Sequence, residues 1–418
     1  MDASLKDAPV SDAMSETESD ARDATTELGN EPCPGLACDG GVCIVTDDVH
    51  YCGTCDNDCT ALPHIVSEGV ACELGTCIYT CEPGFADCDS QGKGCINEFS
   101  SDPENCGTCG HSCAGGTCVA SVCGPATFFD GTAISASITD IATDGSSVAW
   151  GNATDDSIDF VEMAGGKNVV LSSSTPYPSL NVALAKGVVE YTLYDGTNAY
   201  QGSAKPGATG SGFIVTTLVN SITSGLVFNK TGSTVFLLDD AGGAIDLLSC
   251  PPTSAGCTSL TSLGSTGPGA NLAVDSTPHH AVFGDVGNGD VVVFDLGTGT
   301  AASIPDQPSA YWVATDGTNA YWGSETSGPT PANPILAAPL TDPTSVTVLL
   351  PDTAGPCEGI ATDGTQVYFA AGAGVYSVPI GGSTSATLLA SGTARHLKYS
   401  TKMLFFDDGT RIYELAAP

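Results

Sequence analysis

Sixteen of the nineteen cysteines fall between Cys33 and Cys123, and the rest of the 418-residue chain carries three. Cysteine at that density is the mark of a module stapled by bridges because it lacks the apolar mass for a core. The long cysteine-poor remainder must fold by burial instead. The imbalance therefore predicts at least two differently built parts. It also points to an oxidising, extracellular or cell-envelope location, because dense disulfides persist only there.

Charge narrows the partners. Eleven Lys and Arg stand against 48 Asp and Glu, a net charge of -37. A surface this negative repels phosphate backbones, so nucleic acid is excluded as a partner. No run of 18 or more apolar residues occurs, so no membrane-spanning helix is expected. The opening MDASLKDAPVSDAMSETESD has neither the basic start nor the apolar stretch of a signal peptide. Export then implies that the start lies upstream or that the signal was removed. Residues 1–31 are acidic, polar and free of aromatics, and read as a disordered tether. Their repeated Asp-Ala pairs resemble the acidic tether behind the lipidated cysteine of bacterial outer-membrane lipoproteins, which implies a lipid anchor upstream.

Residues 32–124 form the cysteine module: Cys33, Cys38, Cys43, Cys52, Cys55, Cys59, Cys72, Cys77, Cys81, Cys88, Cys95, Cys106, Cys109, Cys113, Cys118 and Cys123. All sixteen are disulfide candidates, in a pairing that sequence does not give. An internal repeat is visible. Cys52-Gly-Thr-Cys55 followed by Cys59 recurs as Cys106-Gly-Thr-Cys109 followed by Cys113. Downstream, Cys72 and Cys77 in CELGTC align with Cys113 and Cys118 in CAGGTC, leaving an insertion around TALPHIVSEGVA in the first copy. Residues Cys81, Gly84, Phe85, Asp87, Cys88, Asp89, Gly94, Cys95, Asn97, Asp102, Pro103, Asn105, Cys106, Gly107, Cys109, Gly110, Cys113, Gly116, Cys118 and Cys123 resemble a cysteine-rich repeat of exported proteins in myxobacteria and related bacteria. The resemblance implies a secreted or surface-anchored protein and no particular activity.

Residues 125–418 alternate Gly, Ser and Thr with short runs of Val, Ile, Tyr, Phe and Trp, an all-β pattern. A repeat selects the architecture. IATDGSSVAWGN (Asp144), TLYDGTNAYQGS (Asp195), VATDGTNAYWGS (Asp316) and IATDGTQVYFAA (Asp363) are its clearest copies, with looser ones near 231, 275 and 400. The mean spacing of about 43 residues is that of a four-stranded propeller blade. In each copy an apolar strand is expected before the Asp, an Asp-Gly hairpin turn, then a buried aromatic strand. The count favours seven blades, with six as the alternative. The last copy has room for three strands, so residues 126–136 are expected to supply the fourth and close the ring. The motif resembles the blades of TolB-like and YWTD-type propellers.

Candidate sites are few. The Asp-Gly carboxylates resemble a ring, but turn formation already accounts for them. Cys52/Cys55 and Cys106/Cys109 are CxxC pairs, read here as part of a disulfide framework rather than as zinc half-sites. Asp285, Asn288 and Asp290, in DVGNGD, alternate oxygens as a calcium loop does, and Asp87 and Asp89 form a second such pair. A hairpin turn explains the first equally well. Cys250 and Cys257 flank a short loop and are expected to bridge, leaving Cys357 as a buried thiol. No cofactor is called for, calcium being the one ion the sequence admits. No Ser-His-Asp set, zinc-binding His-x-x-Glu-His or phosphate-cradling loop occurs. The leading reading is an exported, non-enzymatic binding or scaffold protein whose propeller faces a protein, peptide or glycan. A propeller-based lyase or hydrolase and a calcium-dependent adhesion protein are the alternatives.

Overall fold

The computed structural model describes residues 38–39, 42–43 and 48–417, apart from 54–56, 114, 164–168, 173–176, 207–212, 219–220, 242, 253–255, 266–268, 276–278, 325–331 and 354. The 1–31 tether, Cys33 and Cys55 lie outside the described residues, as do the side chains of Cys38 and Cys43. The chain divides into two compact units, one ending at Thr80 and the other beginning at Cys81. The second half of the cysteine-rich segment thus belongs to the same unit as the propeller.

The first unit is organised by bridges Cys52–Cys72 and Cys59–Cys77 around the hairpin Ala71–Glu73/Thr76–Ile78. The second opens with bridges Cys81–Cys95, Cys88–Cys109, Cys106–Cys118 and Cys113–Cys123 and the hairpin Cys118–Val119/Val122–Cys123. The two copies repeat each other bond for bond. Cys52 N–H donates to the Asn57 carbonyl as Cys106 N–H donates to that of His111, and Cys59 N–H to Val49 as Cys113 N–H to Pro103. Gly53 and Gly107 both take positive φ where the hairpin tip packs closest. This corrects the alignment of the repeat: Cys72 and Cys77 are equivalent to Cys118 and Cys123, not to Cys113 and Cys118. Each equivalent pair faces across its own hairpin. The insertion in the first copy stands, between Cys59 and Cys72.

Seven four-stranded antiparallel sheets follow, a seven-bladed β-propeller. Their innermost strands are Ile138–Thr143, Ser179–Ala185, Ser221–Phe228, Gly269–Val274, Val313–Thr315, Cys357–Thr362 and Arg395–Ser400. The six-blade alternative is thereby excluded. In blade 7 the fourth strand is Ala126–Asp130, paired with Arg411–Ala416, so the ring closes as its length required. Seven apolar clusters each bridge two neighbouring blades, for example Phe160 and Ile158 of blade 1 against Val182 and Tyr191 of blade 2. The cluster of blades 6 and 7 runs on into Cys106, Cys113, Cys118 and Cys123, so four half-cystines of the module are part of the propeller's core.

The Asp-Gly motif proves to be a turn device with a fixed chemistry. In Asp195-Gly-Thr-Asn-Ala-Tyr200, one carboxylate oxygen accepts the Thr197 and Asn198 amides, each at 2.7 Å, and the other accepts Tyr200 Oη at 2.6 Å. Asp316 with Tyr321, Asp363 with Tyr368 and Asp408 with Tyr413 repeat it at 2.7, 2.8 and 2.9 Å. The phenol beside Asp195 holds its carboxyl down at about 2, and the carboxylate raises Tyr200 to about 12. Asp144, Asp316 and Asp363 occupy the turn between a blade's first and second strands, as expected. Asp195 does not. It joins Val188–Tyr194 to Ala199–Ala204, the second and third strands of blade 2, at the opposite end of the ring. The first turn of that blade is Lys186-Gly187, both with positive φ. The motif recognises local hydrogen bonding, which is the same at either hairpin, and so it does not report position within a blade.

Candidate functional site

The seven innermost strands enclose a central channel of about 670 Å³. Its two ends differ. Turns between first and second strands surround one end, where Lys186 and Lys230 contribute to the lining. The entries to the innermost strands surround the other, and there the lining includes Asp140, Asn181, Asn271, Trp312 and Lys398. These five come from blades 1, 2, 4, 5 and 7, each just before or within the apolar run that fixes its strand. Three of the eleven basic residues of the chain thus line one cavity of a strongly acidic protein.

The entry-end groups are held by the framework. Asp140 accepts the Ile141 amide at 2.9 Å and, across to blade 2, the Val182 amide at 3.0 Å. Lys398 Nζ lies 3.5 Å from the same carboxylate and 6.0 Å from the Trp312 ring centroid, a cation–π arrangement. The His396 ring meets Trp312 edge-on at 5.5 Å. Its Nδ1 is 2.6 Å from Asp407, a fully buried carboxylate that also accepts Arg395 at 3.1 Å. The result is an aromatic surface flanked by a cation, an imidazole and amides. Sequence reasoning missed Trp312, His396 and Lys398, because no motif joins residues from different blades.

The sequence-predicted candidates are scattered rather than gathered. Asp285, buried, accepts Ser265 Oγ at 2.6 Å, the Asn288 amide at 3.1 Å and Asn288 Nδ2 at 2.8 Å, so both its oxygens shape the hairpin. Asp290 pairs with it across that hairpin, and burial, followed by the charges of Asp285 and Asp306, raises its carboxyl. Asp87 accepts the Gly92 amide and Asp89 the Gln91 amide, both as turn caps. The crowded sulfurs of Cys52, Cys59 and Cys77, and of Cys106, Cys113 and Cys123, belong to adjacent disulfides. Cys250 bridges Cys257. Cys357 is free, and its sulfur donates to the Gly359 carbonyl at 3.4 Å. The residue keeps some exposure, and burial of its thiol pushes it up to about 12, which disfavours the reactive thiolate.

A pH dependence follows from blade 3. Burial raises the carboxyl of Asp240 to about 6, against 3.8 in an unstructured chain. Between about pH 4 and 6 the folded state therefore holds a proton that the unfolded state has lost, so stability from this group falls across that range and is level above it. Asp195, depressed, works in the other direction and loses its contribution only as pH falls below about 4. Melting temperature is expected to peak near pH 4 and to decline from there to about pH 6. At neutral pH the Asp240 penalty is on the order of 2 kcal/mol. Thermal melts across pH should show the maximum, and Asp240→Asn should flatten its alkaline side. A profile still climbing at pH 7 in the parent would contradict this.

No family model matches the chain, and no curated protein matches it in sequence. Similar solved structures include a streptogramin B lyase, at 11% identity over 70% of this chain and 96% of that one, TM-score 0.53. Virginiamycin B lyase from Staphylococcus aureus gives 10% identity over 70% and 99%, TM-score 0.54. The β-propeller domain of the trilobed protease from Pyrococcus furiosus gives 10% over 70% and 96%, TM-score 0.50, and has an open velcro topology. At these identities the likeness shows the propeller fold alone.

Proposed function

We propose that this chain is an exported, non-enzymatic binding protein whose propeller offers the entry end of its channel to a protein, peptide or glycan. The observation that carries the reading is the Trp312 surface with Lys398 and Asp140 beside it, assembled from three blades at a channel mouth. Concave sites with one aromatic platform and a few fixed polar groups are the usual form of a ligand pocket. Seven disulfides among the described residues support an oxidising compartment. No described helix is long and apolar enough to cross a membrane. A lipid anchor upstream of residue 1 fits the acidic composition of residues 1–31.

The test is binding of the full chain to arrayed peptides and glycans, beside a Trp312→Ala/Lys398→Ala variant. The parent should retain a ligand that the variant loses by tenfold or more. Equal binding by both would move the site elsewhere. The second reading, a lyase or hydrolase, draws on His396, whose Nδ1 is held by Asp407 at 2.6 Å as a general base would be. Turnover of the captured ligand, lost in His396→Ala, would favour that reading over simple binding.

A further inference from the structure

The interface of blades 2 and 3 changes character along its length. Its apolar cluster includes Ala183 of blade 2 with Val235, Leu237, Leu248 and Cys250 of blade 3. Strand alternation carries the same face of blade 3 onward to Asp239, two residues beyond Leu237, and to Asp246, two before Leu248. There the core turns polar. Thr223 lies directly opposite Asp239, and Asp239 directly opposite Asp246, across three adjacent strands. Ser221 precedes Thr223 by two residues and shares its side. From blade 2, Asn181 closes over this layer, donating to Thr192 Oγ1 at 3.1 Å and to the Thr223 carbonyl at 3.2 Å.

Four oxygens of this layer have no hydrogen-bond partner among the described residues: Asp239 Oδ1, Asp246 Oδ1, Ser221 Oγ and Thr223 Oγ1. The neutral pair is the telling part. Ser221 and Thr223 are 4% and 3% exposed, and Asp239 is 7% exposed, so water does not readily serve them. Ser221 lies beside Asp239 and favours its ionised form. Burial first, and the charge of Asp246 after it, push the Asp239 carboxyl up. The ion pairs of the described residues are made elsewhere. Two carboxylates facing one another across a sheet repel, and unpaired buried hydroxyls cost stability. Both costs vanish together if a cation sits between them.

We propose that Asp239, Asp246, Ser221 and Thr223, on three adjacent strands of blade 3, form a site for a divalent cation of the calcium type on the face that blade 3 turns toward blade 2. The ligand set is all oxygen, with two carboxylates to balance a double charge, which suits a hard cation and offers nothing to a soft one. This site is separate from Asp285, Asn288 and Asp290 and from Asp87 and Asp89.

The full chain, stripped with chelator and titrated with calcium chloride in a calorimeter and in thermal melts, tests the proposal. One equivalent should bind, with a rise in melting temperature that chelator reverses. Asp246→Asn, nearly isosteric and at a half-buried position, should fold by circular dichroism and lose the response. Thr223→Val, which removes one neutral oxygen, should weaken binding several-fold and provides a second readout if Asp246→Asn is poorly folded. The double variant Asp239→Asn/Asp246→Asn should melt no lower than the metal-free parent, since the repulsion is gone. No heat and no shift at millimolar calcium would overturn the site, leaving the carboxylates to share a proton. A response that survives Asp246→Asn unchanged would overturn it too, by placing the ion elsewhere.

Discussion

A chain carrying Phe128→Ala and Phe129→Ala should lose about 4 kcal/mol of stability, among the largest effects of any surface-proximal change, because it opens the ring. Strand Ala126–Asp130 is held on one side only, by Arg411–Ala416. Its two aromatics reach different neighbours. Phe129 packs at 4.6 Å against Trp150 of blade 1, and Phe128 meets Phe405 of blade 7 edge-on at 5.8 Å. One short strand therefore joins blade 7 to blade 1, with the disulfide module attached at Cys123 just upstream. The ion pair Arg411–Asp130 at 3.4 Å is exposed and adds little. With both rings removed, the strand has backbone hydrogen bonds left and almost no burial. Urea unfolding should show the loss, and hydrogen exchange should show it concentrated in blade 7 and in Ile138–Thr143. Protection unchanged in those strands would mean that the ring is closed by something other than this strand.

That closing strand was readable from the sequence, since a last blade short by one strand has to borrow its fourth. So was the blade number, because about 43 residues per repeat fits four short strands and three turns. What the sequence could not place was any feature whose identity is local but whose position is not. Asp195 has the same amide and phenol partners as Asp316 and sits at the other end of the ring. Cys72 follows the same spacing from Cys77 as Cys113 does from Cys118, yet the hairpin pairing makes it the counterpart of Cys118. The channel mouth was invisible for the converse reason. Lys398 and Asp140 sit in ordinary strands and Trp312 just before one, and they come together only because the ring brings residues far apart in sequence to one axis. The acidic layer of blade 3 was hidden in the same way: Asp239 and Asp246 read as two of 48 acids until strand register sets them face to face.

Two tryptophans in equivalent places should respond differently to the same substitution. Trp150 and Trp322 each lie on the second strand of a blade, opposite Ile141 and Val313, and both are fully buried. Truncation to Ala should cost about 3–5 kcal/mol at either, since each leaves a ring-sized cavity between blades. Substitution by Phe separates them. Trp322 Nε1 donates at 2.8 Å to Gln307, a buried amide whose own Nε2 is fixed on the Pro305 carbonyl at 3.0 Å. Trp322→Phe strands that acceptor and should cost about 1–3 kcal/mol beyond the lost volume. Trp150 Nε1 is buried with no partner among the described residues, so Trp150→Phe deletes an unsatisfied donor along with part of the ring. The two terms oppose each other there and reinforce each other at Trp322. Urea midpoints should rank Trp150→Phe above Trp322→Phe by a margin that the paired Ala variants do not show. Equal midpoints for the two Phe variants would mean that Gln307 finds another donor or that Trp150 already has an acceptor. The difference isolates one buried hydrogen bond from the packing of two otherwise matched blades.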